Sequence, residues 1–297
     1  MYRRTFLKTS SLACMAGIAK PAMAAKPGLG KDGKIRPAIS LNAYSFTRPL
    51  LAHEMSLEEL FQFAAETGFM GVDLTAYYIP DYPEVPDDQT LFDIKRMALL
   101  KGLAITGTGV RNDFTFADPE KRASEIQLVK DWVVAAAKLG APYVRVFAGK
   151  ESPEGHTRDE IKSWVTTAFQ ECADFASSHG VMVTFQNHND FIVAADDIID
   201  IMEGVHSEWF GFMLDIGSLP VPNPYSDIEK LIRYAVTWQV KENVKTNEGS
   251  VPTDFPRLMK IVNEHNYHGF FPLETLGDGD PRKKVQALYK LVMDSML

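Results

Sequence analysis

From residue 38 to the C-terminus, short apolar runs alternate with longer segments in which apolar residues recur every three or four positions. The first pattern marks buried strands and the second amphipathic helices. The strand-like runs are Ala38–Phe46, Gly71–Thr75, Ala104–Gly109, Tyr143–Ala148, Met182–Asn187, Gly211–Asp215, Val236–Lys241 and Gly269–Glu274. Between and after them the helical period predicts helices over 56–67, 88–101, 118–139, 157–179, 193–204, 226–233, 253–266 and 281–296. Ser56, Asp118 and Ser226 stand where helix N-caps belong, and Gly68, Gly102, Gly140 and Gly180 follow helix ends. Eight strand-then-helix units in about 260 residues, with no antiparallel hairpin signal, predict an α/β fold whose parallel sheet closes into a (β/α)8 TIM barrel. The alternative, an open doubly wound sheet, lacks its usual device, because no Gly-x-Gly-x-x-Gly follows the first strand. Thr106-Gly107-Thr108-Gly109 lies on the third strand and reads as a close approach between backbones.

Barrels of this kind build their sites at the C-terminal ends of the strands, so the polar residues there define the candidate chemistry. Strand one ends in Asn42-Ala43-Tyr44-Ser45, strand two carries Asp73 and Thr75, and strand four carries Arg145. Strand five ends in Gln186-Asn187-His188, strand six in Leu214-Asp215, strand seven in Gln239-Val240-Lys241-Glu242 and strand eight in Leu273-Glu274. Of seven histidines only His188 falls at a strand C-terminus. Asp215 and Glu274 each terminate an apolar strand, where an ionised carboxylate is costly unless a cation meets it. With the carboxamides of Gln186 and Gln239, they form an oxygen-rich set suited to one divalent cation, Mn2+, Mg2+ or Ca2+ rather than zinc. The alternative is that Lys241 and Arg145 pair with the two carboxylates and no metal is present.

The 297-residue chain has a formal net charge of −8, and 45% of its residues are hydrophobic. Residues 1–24 hold Arg3, Arg4, Lys8, Lys20 and no acid, so without them the charge is −12. That balance argues against a nucleic-acid partner. Arg3-Arg4 precedes an apolar run, Ser10 to Ala19, and Ala22-Met23-Ala24 supplies small residues for cleavage. The run is too short to span a membrane. Residues 1–24 are therefore expected to be a twin-arginine-type export signal to the periplasm, residues 25–37 a linker, and residues 38–297 a single barrel domain. A lipoprotein anchor at Cys14 is the lesser alternative. Cys172 is then the only thiol of the mature chain.

The strand-end motifs resemble the xylose isomerase-like superfamily of barrels. That family closes strand five with Glu-Asn-His, strand six with Leu-Asp-x-Gly, strand seven with His-x-Lys-Asp and strand eight with Leu-Glu. Here these stand as Gln186-Asn187-His188, Leu214-Asp215-Ile216-Gly217, Gln239-Val240-Lys241-Glu242 and Leu273-Glu274. The resemblance implies one divalent metal on Gln186, Asp215, Gln239 and Glu274. It departs from the pattern at two of the four, where Gln replaces Glu and His. Ser218, Arg111 and Asn112 stand where the family's apurinic endonucleases carry further histidines, which argues against DNA repair.

What the resemblance implies, together with the expected export signal, is an exported carbohydrate isomerase or epimerase that abstracts a proton next to a sugar carbonyl, with metal assistance. Glu274 would be the base, and His188, Glu242 or Asp73 would relay the second proton. Lys241 would polarise the carbonyl or hold the enolate. Asn42, Arg145, Asn187 and Glu242 are the candidate substrate contacts. Tyr44, Tyr77 and Phe147 are among the aromatics placed to stack on a sugar ring. Elimination or hydrolysis of a 3-keto glycoside at the same site remains open, as does a carbohydrate-binding barrel that lost its metal. Family barrels often pair as homodimers, and Tyr77–Pro83 is a candidate lid or partner contact.

Overall fold

The computed structural model describes residues 36–150, 152–188 and 191–296, so the expected export signal and nearly all of the expected linker lie outside the described residues. Strands β1 (Ala38–Asn42), β2 (Gly71–Asp73), β3 (Ala104–Gly109), β4 (Tyr143–Val146), β5 (Met182–Gln186), β6 (Phe210–Asp215) and β7 (Ala235–Lys241) run side by side and parallel. Strands β8 (Asn243–Thr246) and β9 (Gly249–Pro252) then leave the barrel as an antiparallel hairpin. Strand β10 (Phe270–Glu274) pairs with β7 on one side and β1 on the other, closing the barrel.

The hairpin corrects the expectation of an uninterrupted β-α series. Of its eight strand residues only Val244 is buried, so it never buries the alternating apolar face that would mark a strand. Its turn, Asn247-Glu248, also lacks the Asn-Gly or Asp-Gly pair of a tight hairpin.

The nine α-helices are α1 (Thr47–Leu51), α2 (Leu57–Thr67), α3 (Asp88–Leu100), α4 (Pro119–Leu139), α5 (Arg158–Ser177), α6 (Ala195–Gly204), α7 (Pro224–Leu231), α8 (Phe255–Glu264) and α9 (Pro281–Met296) among the described residues. Ser56 caps α2 reciprocally with Glu59, Thr157 caps α5 with Glu160, and Asp118 caps α4, each satisfying amides that have no carbonyl within the helix. Ser226 is not a cap. It sits inside α7, which starts two residues earlier at Pro224, where the fixed φ and missing N–H of proline cost nothing. No helix among the described residues is long and apolar enough to cross a membrane.

The core lies between the outer faces of the strands and the helices. Phe169 on α5 packs against Phe114, Phe185 and Phe210 with ring centroids 5.1–5.6 Å apart. Trp238 packs on Phe271 at 5.0 Å; it faces the helices because strand alternation turns its neighbour Gln239 into the barrel. Two bulges, between Val72 and Asp73 and between Phe212 and Met213, shift the register so that Asp73 lies beside Gly107 and Asp215 beside Gln239. Bulges of this kind re-aim strand ends. Strand β1 stops early because the Asn42 side chain accepts the Tyr44 amide at 2.8 Å and starts a tight turn.

Candidate active site

The strand C-termini enclose a cavity of about 540 Å3, lined by Asn42, Tyr44, Asp73, Tyr77, Arg111, Arg145, Phe147, Gln186, His188, Gln239, Lys241 and Glu274 among others. The Lys241 ammonium joins the carboxylates of Asp215 and Glu274. Its Nζ donates to Asp215 Oδ2 at 2.8 Å and lies 3.3 Å from Glu274 Oε1. Strand pairing brings them close, since Glu274 is the register partner of Lys241 and Asp215 that of Gln239, two residues before Lys241.

Every oxygen of the two carboxylates is met by a protein donor. Asp215 Oδ2 also accepts from Gln186 Nε2 at 2.9 Å and from Ser218 Oγ at 3.0 Å, and Oδ1 accepts the Gly217 amide at 2.9 Å. Glu274 Oε2 accepts from Gln239 Nε2. Burial pushes the Glu274 carboxyl above its usual range, and Lys241 opposes that only in part. Burial works against the Lys241 charge, yet Asp215 and Glu274 more than offset it and hold the ammonium above its ordinary value. An ammonium has three donors, and two are spent on the carboxylates. Lys241 also lines the cavity.

A second arm runs from Glu274 through Gln239 to β2. Asn42 Nδ2 donates to Gln239 Oε1 and to Asp73 Oδ2, both at 3.2 Å, and Tyr143 Oη donates to Asp73 Oδ2 at 3.1 Å. Burial pushes Asp73 up to about 6, against the pull of Arg145 and the Tyr143 bond. The glycines of Thr106-Gly107-Thr108-Gly109 make these contacts possible. A Cβ on Gly107 would lie 2.1 Å from the Tyr143 ring, and one on Gly109 would lie 2.9 Å from the Arg145 guanidinium. This is the close approach that the sequence suggested.

Arg145 does not pair with Asp215 or Glu274. It donates to the Val110 carbonyl at 2.6 Å and to Tyr77 Oη at 3.0 Å, and its guanidinium lies 4.0 Å from the Phe147 ring centroid. Arg111 covers Tyr77 at 4.5 Å, so two arginines fix the aromatic walls. The segment Tyr77–Pro83 is held down: Tyr82 Oη accepts the Arg111 amide at 2.8 Å and the Pro83 carbonyl accepts Trp132 Nε1 at 2.8 Å.

Two candidate substrate contacts fall elsewhere. Asn187 is fully buried and clamps backbone, accepting the Asp215 amide at 2.8 Å and donating to the Asp215 carbonyl at 2.9 Å. Its neighbour Gln186 faces the cavity, and strand alternation sends Asn187 the other way. Glu242 turns away from Lys241 for the same reason and lies 3.5 Å from Lys284 on α9. His188 lines the cavity against Phe147 at 4.8 Å. Asp113, Phe116, Glu125 and Lys150 also line the mouth but were not anticipated. They come from loops after β3 and β4 and from α4, where no periodicity points inward; Glu125 is turned back by accepting the Asp113 amide at 3.0 Å.

The donor set does not fit a divalent cation. The four expected ligand positions do converge, but two contribute amide groups hydrogen-bonded to the carboxylates, and the carboxylates close on an ammonium. A second cation there would have to displace a charge already 2.8 Å from its first ligand. Among the described residues no three His, Cys, Asp or Glu side chains assemble as a metal-binding group.

Three solved structures share this architecture. The apo form of 3-keto-D-glucoside 4-epimerase from E. coli superposes with a TM-score of 0.72 at 14% identity, covering 87% of this chain and 100% of that one. D-Psicose 3-epimerase with D-tagatose from Clostridium cellulolyticum H10 gives 0.71 at 14% identity, covering 87% and 99%. A xylose isomerase-like TIM barrel protein from Mycobacterium smegmatis in complex with magnesium gives 0.66 at 18%, covering 88% and 98%. No curated protein matches the sequence. At these identities the superpositions speak for the fold, and the assignment rests on the sequence: the family model for xylose isomerase-like TIM barrels matches residues 61–293. The chain belongs to the xylose isomerase-like TIM barrel family.

Proposed function

We propose that the protein is an exported carbohydrate epimerase or isomerase that removes a proton from the carbon next to a sugar carbonyl. The observation that carries this reading is a buried carboxylate, Glu274, held against an ammonium, with both groups lining the cavity. Glu274 takes the proton, the C–H electrons pass into the carbonyl, and the developing enolate oxygen accepts the remaining Lys241 N–H. A fixed donor in a water-poor site stabilises such an oxyanion strongly. Burial suits Glu274 to the task, since a base with a raised pKa pulls harder on a weakly acidic C–H.

Return of the proton to the opposite face of that carbon gives epimerisation; return to its neighbour gives isomerisation. Of the three groups considered for this step, Asp73 and His188 reach the cavity and Glu242 does not. Asp73, pushed up to about 6, exchanges a proton readily near neutral pH and is the group we assign. The walls suit a sugar: the aromatic rings of Tyr44, Tyr77 and Phe147 line the cavity together with the polar groups of Asn42, Gln186 and Arg145. The twin arginine of the leader favours a substrate met outside the cytoplasm, so free ketoses and 3-keto glycosides come first.

The test is solvent exchange. Incubated in D2O with ketohexoses and 3-keto glucosides, the protein should place deuterium at the carbon next to the carbonyl, read by mass spectrometry. Glu274→Gln should slow this by at least ~100-fold. Exchange undiminished in Glu274→Gln, or no exchange with any keto sugar, would remove the proposal.

A further inference from the structure

We infer that Lys241 is the resident cation of this site, an ammonium tethered where relatives of this fold can hold a divalent metal, so that the protein works without one. The sequence places both carboxylates of the site on strands flanking or neighbouring β7, and register brings them to one atom, Lys241 Nζ, at 2.8 and 3.3 Å. Asp215 is met further by Gln186, Ser218 and Gly217, and Glu274 by Gln239. The position between the two carboxylates is held by the ammonium.

Gly217 accommodates the lysine stem, and like Lys241 it belongs to the strand-end pattern given above, so what sets this chain's ligand set apart from that pattern is the two Gln positions. A Cβ on Gly217 would lie 2.5 Å from Lys241 Cδ, and the stem would have to shift. The loop after β6 thus keeps a bare backbone where the lysine must lie across it, and the same residue's amide satisfies Asp215. Two carboxamides stand where the family pattern has a third carboxylate and a histidine, so this set offers a divalent ion one anionic ligand and one imidazole fewer.

The cation position is independent of the reaction assigned above; the claim that the ammonium then serves as electrophile rests on that reading. Mn2+ titration of the full-length protein, followed by electron paramagnetic resonance, tests the first part. The wild type should show no saturable Mn2+ site at millimolar metal, and elemental analysis should find no stoichiometric transition metal or Mg2+. Lys241→Ala, which vacates the position between Asp215 and Glu274, should gain Mn2+ binding. A site in the wild type that fills with one Mn2+ per chain and is lost in Asp215→Asn overturns the inference, whatever the lysine variant does. The second part is read separately: deuterium exchange should be unchanged after exhaustive EDTA treatment. A chelator-sensitive exchange restored by metal overturns it, whereas failure of every keto sugar to exchange removes the reaction and leaves the titration to decide the cation.

Discussion

At the scale of single residues the site is governed by what a buried charge demands. Lys241 meets two carboxylates, so removing its charge leaves both without their cation. Lys241→Met, which keeps most of the stem, should cost about 3–5 kcal/mol of stability, because breaking a buried pair strands the other partner; urea unfolding would measure it. Asp73 makes the opposite kind of demand. Its carboxyl is raised from 3.8 to about 6 by burial, so folding favours its protonated form. The associated stability is fully present below pH 3.8 and is lost as pH rises through about 6, a change of about 3 kcal/mol at 1.36 kcal/mol per unit. Asp73→Asn should flatten the fall in Tm between pH 4 and 6.5 and leave the wild-type curve steeper by contrast. These residue-scale facts were half visible in the sequence. The termination of apolar strands by Asp215, Lys241 and Glu274 marked them as a set. Their partner choice was not visible, because whether an ammonium or a metal lies between two carboxylates is decided by inter-strand register. Alternation alone would have discounted Asn187 and Glu242, the immediate neighbours of inward-facing Gln186 and Lys241.

At the scale of elements, β3 shows how a strand can be shaped by its neighbour. Its glycines were legible as a place of close approach, but not what approaches: Tyr143 crosses Gly107 to reach Asp73, and the Arg145 head lies over Gly109. Gly107→Ala should therefore destabilise by about 1–3 kcal/mol, the usual cost of overpacking. Tyr143→Leu in the same chain should recover much of that loss, giving a coupling in a double-mutant cycle that two independent sites would not show. The eight expected helices were read almost to their ends because caps are local chemistry: Ser56, Asp118 and Thr157 each act on amides two or three residues away. The five-residue α1 was not expected, since one turn is too short to show a helical period. The β8–β9 hairpin escaped for the complementary reason. A hairpin that lies on the surface buries almost nothing, and hydrophobic periodicity reports only what is buried.

At the scale of the whole molecule, the count of eight β-α units carried the fold, and the strand-end motifs carried the family before any superposition. The loops at the mouth carried little, since Asp113, Phe116 and Lys150 obey no repeat. Barrel closure has a further consequence. Asp215 and Lys241 stand on β6 and β7, but Glu274 stands on β10, whose pairing with β1 joins Phe270 to Ala38. The β1–β10 contact, so distant along the chain, forms only after the loop entropy between the strands has been overcome. The trio of charges is completed when β10 pairs with β7, and the other edge of the same strand seals the barrel against β1. A chain halted before that event, whether truncated, slow or misregistered at its last strand, has a long run of correct structure and no active centre at all. Activity in this protein is thus a report on the placement of its last strand, and it should return during refolding only as fast as β10 finds its register on β7.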